Sequence, residues 1–253
     1  MSIHLLPLPG IPAIQPDDDL AAILATAIND SRMGVKPGDI LVLCQKIVSK
    51  AEGRVVPLET VTPSAFASAW AEEHEKDARL VELVLRETKR IVRMERGNLI
   101  VETGPGWVCA NAGIDQSNAI EEGTVTLLPV DADASAERLR NALRGHLGVN
   151  LGIVITDTFG RPWREGQVEF AIGVAGFAPI EDLRGDDDLY GRELGVTLIA
   201  TADHVASAAG LLMGKADGMP AVLVRGLTTR EPAQGERTGG RALIRPAEND
   251  LFR

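Results

Sequence analysis

Three features of the chain predict an α+β fold of mixed sheets with flanking helices. Stretches of helical and strand periodicity follow one another without the regular βαβ alternation of a doubly wound sheet. No repeat or low-complexity linker cuts the chain into independent parts. With 253 residues, 45% of them hydrophobic, it can bury a substantial core as one large domain or as two lobes.

The elements follow from local pattern. Asp17 to Met33 reads as a helix, with Leu20, Ile23, Leu24, Ala27 and Ile28 on one face and acids Asp17 to Asp19 at the amino end. Lys36-Pro37-Gly38-Asp39 is a turn, after which Ile40 to Ser49 reads as a strand ending in Ser49-Lys50-Ala51-Glu52-Gly53. Ser64 to Arg86 reads as one long amphipathic helix whose charged run, Glu72 to Asp77, is a solvated face. Short strands are expected at Arg90 to Met94, Asn98 to Glu102, Trp107 to Ala110 and Thr124 to Pro129. Ser135 is read as the cap of a helix through Leu147, with Leu139, Leu143 and Leu147 on one face. Leu151 to Ile155 is a short buried strand that stops at Thr156-Asp157-Thr158. A Gly-broken apolar stretch (Glu169 to Phe177), a strand (Leu194 to Ala200), a small-residue helix (Ala202 to Gly214) and a last strand (Ala221 to Arg225) follow. Thr229 to Gly240 is a polar loop.

Composition excludes several classes. A net charge of -10 argues against nucleic acid or an anionic membrane as partner, and any phosphate site must gather its cations locally. No run approaches the ~20 apolar residues of a membrane span. The start, MSIHLLPLPGIPAI, is broken by prolines and lacks a basic region, so it is not a signal peptide. Cys44 and Cys109 lie in apolar contexts and read as buried thiols of a cytoplasmic protein. The phosphate-loop and dinucleotide glycine patterns are both missing. The four histidines lack zinc-type spacing, and Ser49, Ser117 and Ser207 lack a nucleophile-elbow context. Asp186-Asp187-Asp188 reads as a solvated loop, and Asp203 as a complement to a helix dipole.

Two clusters carry candidate chemistry. Asp157 and Thr158, followed by Arg161 and Arg164, put oxygen ligands for a hard cation beside side chains suited to phosphate or carboxylate. The same residues also read as an Asp-Thr turn. Asn111 to Asn118 crowds Asp115, Ser117 and Asn118 into a turn, either an Asx-turn or a second carboxylate for the same metal. Lys50 is either a point charge for a nucleotide phosphate or an exposed strand-end lysine.

Taken together, Leu43-Cys-Gln-Lys-Ile-Val-Ser-Lys50, Gly113-Ile-Asp-Gln-Ser-Asn118, Ile155-Thr-Asp-Thr-Phe-Gly-Arg-Pro-Trp-Arg164, Gly173-Val-Ala-Gly176, Asp188-x-Tyr-Gly-x-Glu-Leu194 and Leu243 to Phe252 resemble one family, nearly end to end and in order. It is the family of coenzyme F420-0:L-glutamate ligases. The resemblance implies the family's own ligase fold, with two interleaved lobes in a single domain over 1–253, and no carboxy-terminal flavin-reductase-like domain of the kind some bacterial relatives carry. It implies GTP-dependent joining of L-glutamate to the phospholactyl carboxylate of coenzyme F420-0 through an acyl phosphate, with further γ-linked glutamates possible.

Asp115, Asp157 and Thr158 would then hold Mg²⁺ or Mn²⁺, as one ion or two, with K⁺ as a further candidate. Leu8, Pro9, Gly10, Ile11, Ser49, Lys50 and Asn118 would contact GTP. So would the segment Met213, Gly214, Lys215, Ala216, Asp217, Gly218, Met219 and Pro220. Lys215 stands where archaeal relatives can carry an acidic or amide metal ligand, and a protonated lysine pairs with phosphate instead. Lys50, Asp157, Arg161 and Arg164 would stabilise the transferring phosphoryl group. A cytoplasmic homodimer with sites near the subunit interface is also implied. The same residues leave two other classes to be distinguished: a metal-dependent nucleotide phosphohydrolase and a GTP-binding module without turnover.

Overall fold

The structure is a computed structural model that describes residues 2–117, 122–214 and 217–251. The chain opens with β1 (His4–Pro7) and α1 (Leu20–Asp30), whose first turn is closed by the Asp19 carboxylate accepting from the Ala22 amide. β2 (Ile40–Cys44) follows, and α2 (Gln45–Ala51) begins directly after it. The expected strand from Ile40 to Ser49 is therefore half strand and half helix. Its apolar run satisfies both periods, and burial of Gln45, Ile47, Val48 and Ser49 against the core decides for the helix. Lys50 accordingly lies in the last turn of a helix, not at the end of a strand.

The chain then builds a second lobe. β3 (Val55–Pro57) leads to α3 (Ala65–His74) and α4 (Ala78–Arg86). The single helix expected from Ser64 to Arg86 is broken at Glu75, which is left-handed (φ 53°), and Asp77 caps the new helix through the Arg79 amide. β4 (Thr88–Glu95), β5 (Asn98–Thr103) and β6 (Val108–Ala110) form an antiparallel meander, and β7 (Thr124–Thr126) pairs antiparallel with β3. Ala67, Ala71, Val81, Val84, Leu99 and Val101 form one small core of this lobe, and Leu58, Val61, Leu83, Val125 and Leu127 another.

α5 (Ala132–Leu147) returns the chain to the first lobe. Its cap is Asp131, which accepts from the Ala134 amide; Ser135, expected in that role, lies one turn inside and donates to Glu52 at 2.6 Å. β8 (Gly152–Arg161) and β9 (Arg164–Ala175) form a long hairpin. The strand does not stop at Thr156: pairing with β9 carries it on to Arg161, so Asp157 and Thr158 lie within it. β10 (Glu181–Asp182) and β11 (Leu198–Ile199) are two-residue strands, and the strand expected over Leu194 to Ala200 shrinks to the second of them. α6 (Thr201–Gly210) and β12 (Ala221–Arg225) complete the fold. The fold class is α+β.

The main sheet has the order β1-β12-β2-β8-β9, with β2 and β8 parallel and every other pair antiparallel. Alternation along the strands separates its two faces. Leu41, Leu43, Ile153, Ile155 and Leu223 pack with α1 and α5, while Ile40, Val42, Val154, Val222 and Val224 pack with α6. The amino end of α5 lies directly on β9: a Cβ at Gly173 would stand 2.3 Å from the Ala132 carbonyl oxygen. A part-buried pair, Arg225 to the buried Asp39 at 2.6 Å, ties β12 to the turn before β2. Among the described residues, no helix is long and apolar enough to cross a membrane. The second lobe is thus an insertion between α2 and α5, and it meets the main sheet beside the carboxyl ends of the parallel pair, where open sheets commonly place their ligands.

Candidate active site

Strand β8 carries Asp157 and Thr158 out between the lobes. Just before them, between Ile155 and Thr156, the pairing register shifts because the partner strand β9 carries an extra residue, Ile172, a bulge that bends the hairpin locally. Thr158 lies opposite Glu169 of β9, and its hydroxyl donates to that carboxylate at 2.6 Å. From the other lobe comes Asp115, fixed by a backbone bridge to Thr126 of β7. The turn before it needs three successive positive φ angles, at Asn111 (50°), Ala112 (53°) and Gly113 (69°). Only the last is a glycine, and a Cβ there would stand 2.7 Å from Leu128 Cδ1. Two non-glycine residues held in this region store backbone strain of about 1 kcal/mol each or more, as segments that aim functional groups often do.

The Asx-turn reading of Asp115 is the one its hydrogen bonds show. One carboxylate oxygen accepts the Ser117 amide at 2.6 Å, which is the Asx-turn. The other is paired with Lys46 Nζ at 2.8 Å, and that ammonium also donates to Ser117 Oγ at 2.6 Å. Partial burial alone would raise the Asp115 pKa, but the hydrogen bonds from Lys46 and Ser117 outweigh it and hold the carboxyl below its ordinary range. The Lys50 pKa is lowered too, in its case by burial, and the nearby Lys46 charge adds to the effect. Burial raises both thiols, Cys44 and Cys109, the latter to about 12 with the Asp157 charge adding to it, so neither is a nucleophile at neutral pH.

These residues line two cavities that share a wall. The first, about 380 Å³, is bounded by Ile11, Lys46, Lys50, Glu169 and the segment on either side of 215–216: Met213, Gly214, Gly218, Met219 and Pro220. The second, about 770 Å³, is bounded by Ile100, Val108, Cys109 and Asn111 of the inserted lobe and by Phe159, Arg161 and Gln167 of the hairpin. Asp115, Asp157 and Thr158 belong to both.

Other expected contacts lie elsewhere. Leu8 is buried in the main core, Pro9 and Gly10 are exposed outside both cavities, and Ser49 is buried with its hydroxyl donating to Gln45. Asp217 is exposed, with its carboxylate folded over Gly214. Arg164 is exposed and lines neither cavity. Asn118, Lys215 and Ala216 lie outside the described residues. Lys46 and Glu169 were not anticipated from the sequence.

Asp115, Asp157 and Thr158 on the shared wall, with Glu169 beside them in the smaller cavity, offer oxygen donors, the chemistry of a hard cation. Among the described residues, no three His, Cys, Asp or Glu side chains group tightly enough to cage an ion by themselves. That combination fits Mg²⁺ or Mn²⁺ bound with a polyphosphate, since such ions take one or two carboxylates and draw their remaining ligands from phosphate and water.

Fold and cavities together define an α+β protein with a two-chambered candidate active site between its lobes. The sequence profile of the family F420-0:Gamma-glutamyl ligase matches residues 10–226. The chain is 45% identical over 256 residues to the coenzyme F420:L-glutamate ligase of Methanothermobacter thermautotrophicus, covering all of both chains. It is 46% identical to that of Methanopyrus kandleri, over all of this chain and 98% of the relative. Against that of Archaeoglobus fulgidus the identity is 42%, over all of this chain and 97% of the relative. The chain belongs to the F420-0:gamma-glutamyl ligase family, and it is a ligase.

Proposed function

We propose that this enzyme joins L-glutamate to coenzyme F420-0 with conversion of GTP to GDP and phosphate. The observation that carries the reading is the pair of cavities meeting at Asp115, Asp157 and Thr158. A nucleotide in the smaller chamber directs its terminal phosphate toward that wall, past Lys50. An acceptor in the larger chamber lays its ring against Ile100, Val108 and Phe159 and brings its acidic tail to the same wall. The acceptor carboxylate oxygen attacks the γ-phosphorus, the bond to GDP breaks, and an acyl phosphate results. The glutamate amine then attacks the acyl carbon, phosphate leaves with the bonding electron pair, and the amine gives up its proton to solvent. Asp115, Asp157 and Thr158 would hold the divalent ion, which supplies charge neutralisation on the phosphoryl group when bound. Lys50 and Arg161 bring the positive charge that an acidic protein must gather locally. No protein nucleophile is required, in keeping with the two protonated thiols.

A cytoplasmic homodimer belongs to the same proposal. Both thiols are free, as suits a reducing compartment. Leu189, Tyr190 and Val196 are 90%, 84% and 88% exposed on the arm between β10 and β11, a concentration of apolar side chains that suits contact with a second copy. Sedimentation at twice the chain mass is the expected result, and a monomer at micromolar concentration would exclude the dimer.

The reaction class is tested by the substrate dependence of GDP release. A ligase forms GDP at its full rate only when F420-0 and glutamate are both present. GDP released at the same rate with neither would make the protein a phosphohydrolase, and GTP binding without turnover under any condition would make it a binding module.

A further inference from the structure

We propose that Lys46 and the divalent ion compete for the Asp115 carboxylate, so that the ion enters the site together with the nucleotide and not ahead of it. This inference rests on the metal-and-GTP reading above. Both Asp115 oxygens are engaged: one by the Ser117 amide at 2.6 Å, the other by Lys46 Nζ at 2.8 Å. The two side chains are only 15% and 25% exposed, so their attraction is less screened than that of a surface pair. A divalent ion approaching Asp115 alone must displace an ammonium that already neutralises it. It would also strand that ammonium, partly desolvated, one helical turn from Lys50 on the same cavity wall.

A triphosphate changes both terms. Its oxygens complete a coordination shell that the described protein side chains do not supply by themselves. It also offers Lys46 a new anionic partner in the cavity that Lys46 and Lys50 both line. Metal and nucleotide therefore bind with positive coupling, and by linkage each raises the other's affinity by the same factor. Lys46 is a positioning residue: it keeps Asp115 charged and correctly placed, then exchanges one anion for another.

Titration of free Mn²⁺ by electron paramagnetic resonance tests this on the full chain, with and without guanylyl imidodiphosphate, a GTP analogue resistant to hydrolysis. The native protein is expected to bind Mn²⁺ about tenfold more tightly with the analogue present than without it. Lys46→Met should bind Mn²⁺ alone about tenfold more tightly than the native protein, with the coupling correspondingly reduced. Lys46→Arg, which keeps the ion pair, should behave as native. Lys46→Gln, with a polar head on a similar stem, repeats the measurement should the methionine variant lose its fold. Mn²⁺ affinity without nucleotide that is unchanged or weaker in the folded neutral variant would overturn the inference while leaving the metal site standing. Failure of every form to bind Mn²⁺, even with the analogue, would overturn the metal reading and this inference together.

Discussion

Asp157→Asn is expected to reduce glutamate ligation about a thousandfold while shifting the melting temperature by no more than a few degrees. The asparagine has the same shape, and the backbone of position 157 stays paired with Phe170 in the β8–β9 hairpin. What disappears is one of two carboxylates on the wall common to both cavities, the wall where a phosphoryl group would pass from nucleotide to acceptor. Most of the catalysis in such a transfer is positioning and charge neutralisation, so a lost anionic ligand falls on the rate of the transfer itself. Initial rates of GDP formation with saturating acceptor and glutamate, beside a thermal melt, check both halves. A folded variant that retains more than about a tenth of native activity would remove Asp157 from the proposed role.

Gly173→Val should destabilise the fold by about 3 kcal/mol or more, which lowers the melting temperature by roughly 6–12 °C in a chain of this size. Gly173 pairs with Ile155 near the open end of the hairpin, under the first turn of α5. A Cβ there would lie 2.3 Å from the Ala132 carbonyl oxygen and 2.6 Å from its carbon. Both are backbone atoms, so no rotamer change relieves the contact, and the helix itself must withdraw. Withdrawal in turn pulls the Asp133 carboxylate from the amides of Val174 and Gly240, which it accepts across the same interface. Thermal unfolding of the variant measures the sum, and an unchanged melting temperature would show that α5 can shift at little cost.

These two residues differ in how far the sequence alone reveals them. Asp157 announces itself, because a carboxylate and a hydroxyl directly after an apolar strand core are few enough in meaning to be weighed. Gly173 is one of several glycines in an apolar stretch, and its constraint comes from a helix some forty positions away in the chain. The same division runs through the fold. α1, β5 and β12 are legible because periodicity and burial agree. The run from Ile40 to Ser49 is not, since a short apolar segment satisfies both periods until packing decides. The break between α3 and α4 depends on a left-handed glutamate, Glu75, which carries no glycine or proline signal.

In the site, the strand reading of α2 concealed Lys46. Four residues apart along a strand is about 13 Å, whereas one helical turn sets Lys46 and Lys50 about 6 Å apart on one face. Glu169 was hidden for a different reason: only the register of β8 on β9 brings it opposite Thr158. Asp115, Asp157, Thr158 and Lys50, read separately from three distant stretches of sequence, line one cavity in the folded chain.

The most direct test of the proposed activity is mass spectrometry of the acceptor after incubation with the enzyme, GTP, Mn²⁺ and L-glutamate. F420-0 is expected to gain at least one glutamyl residue, with one GDP formed for each glutamate added. GTP consumed while F420-0 keeps its original mass would rule out the ligase activity.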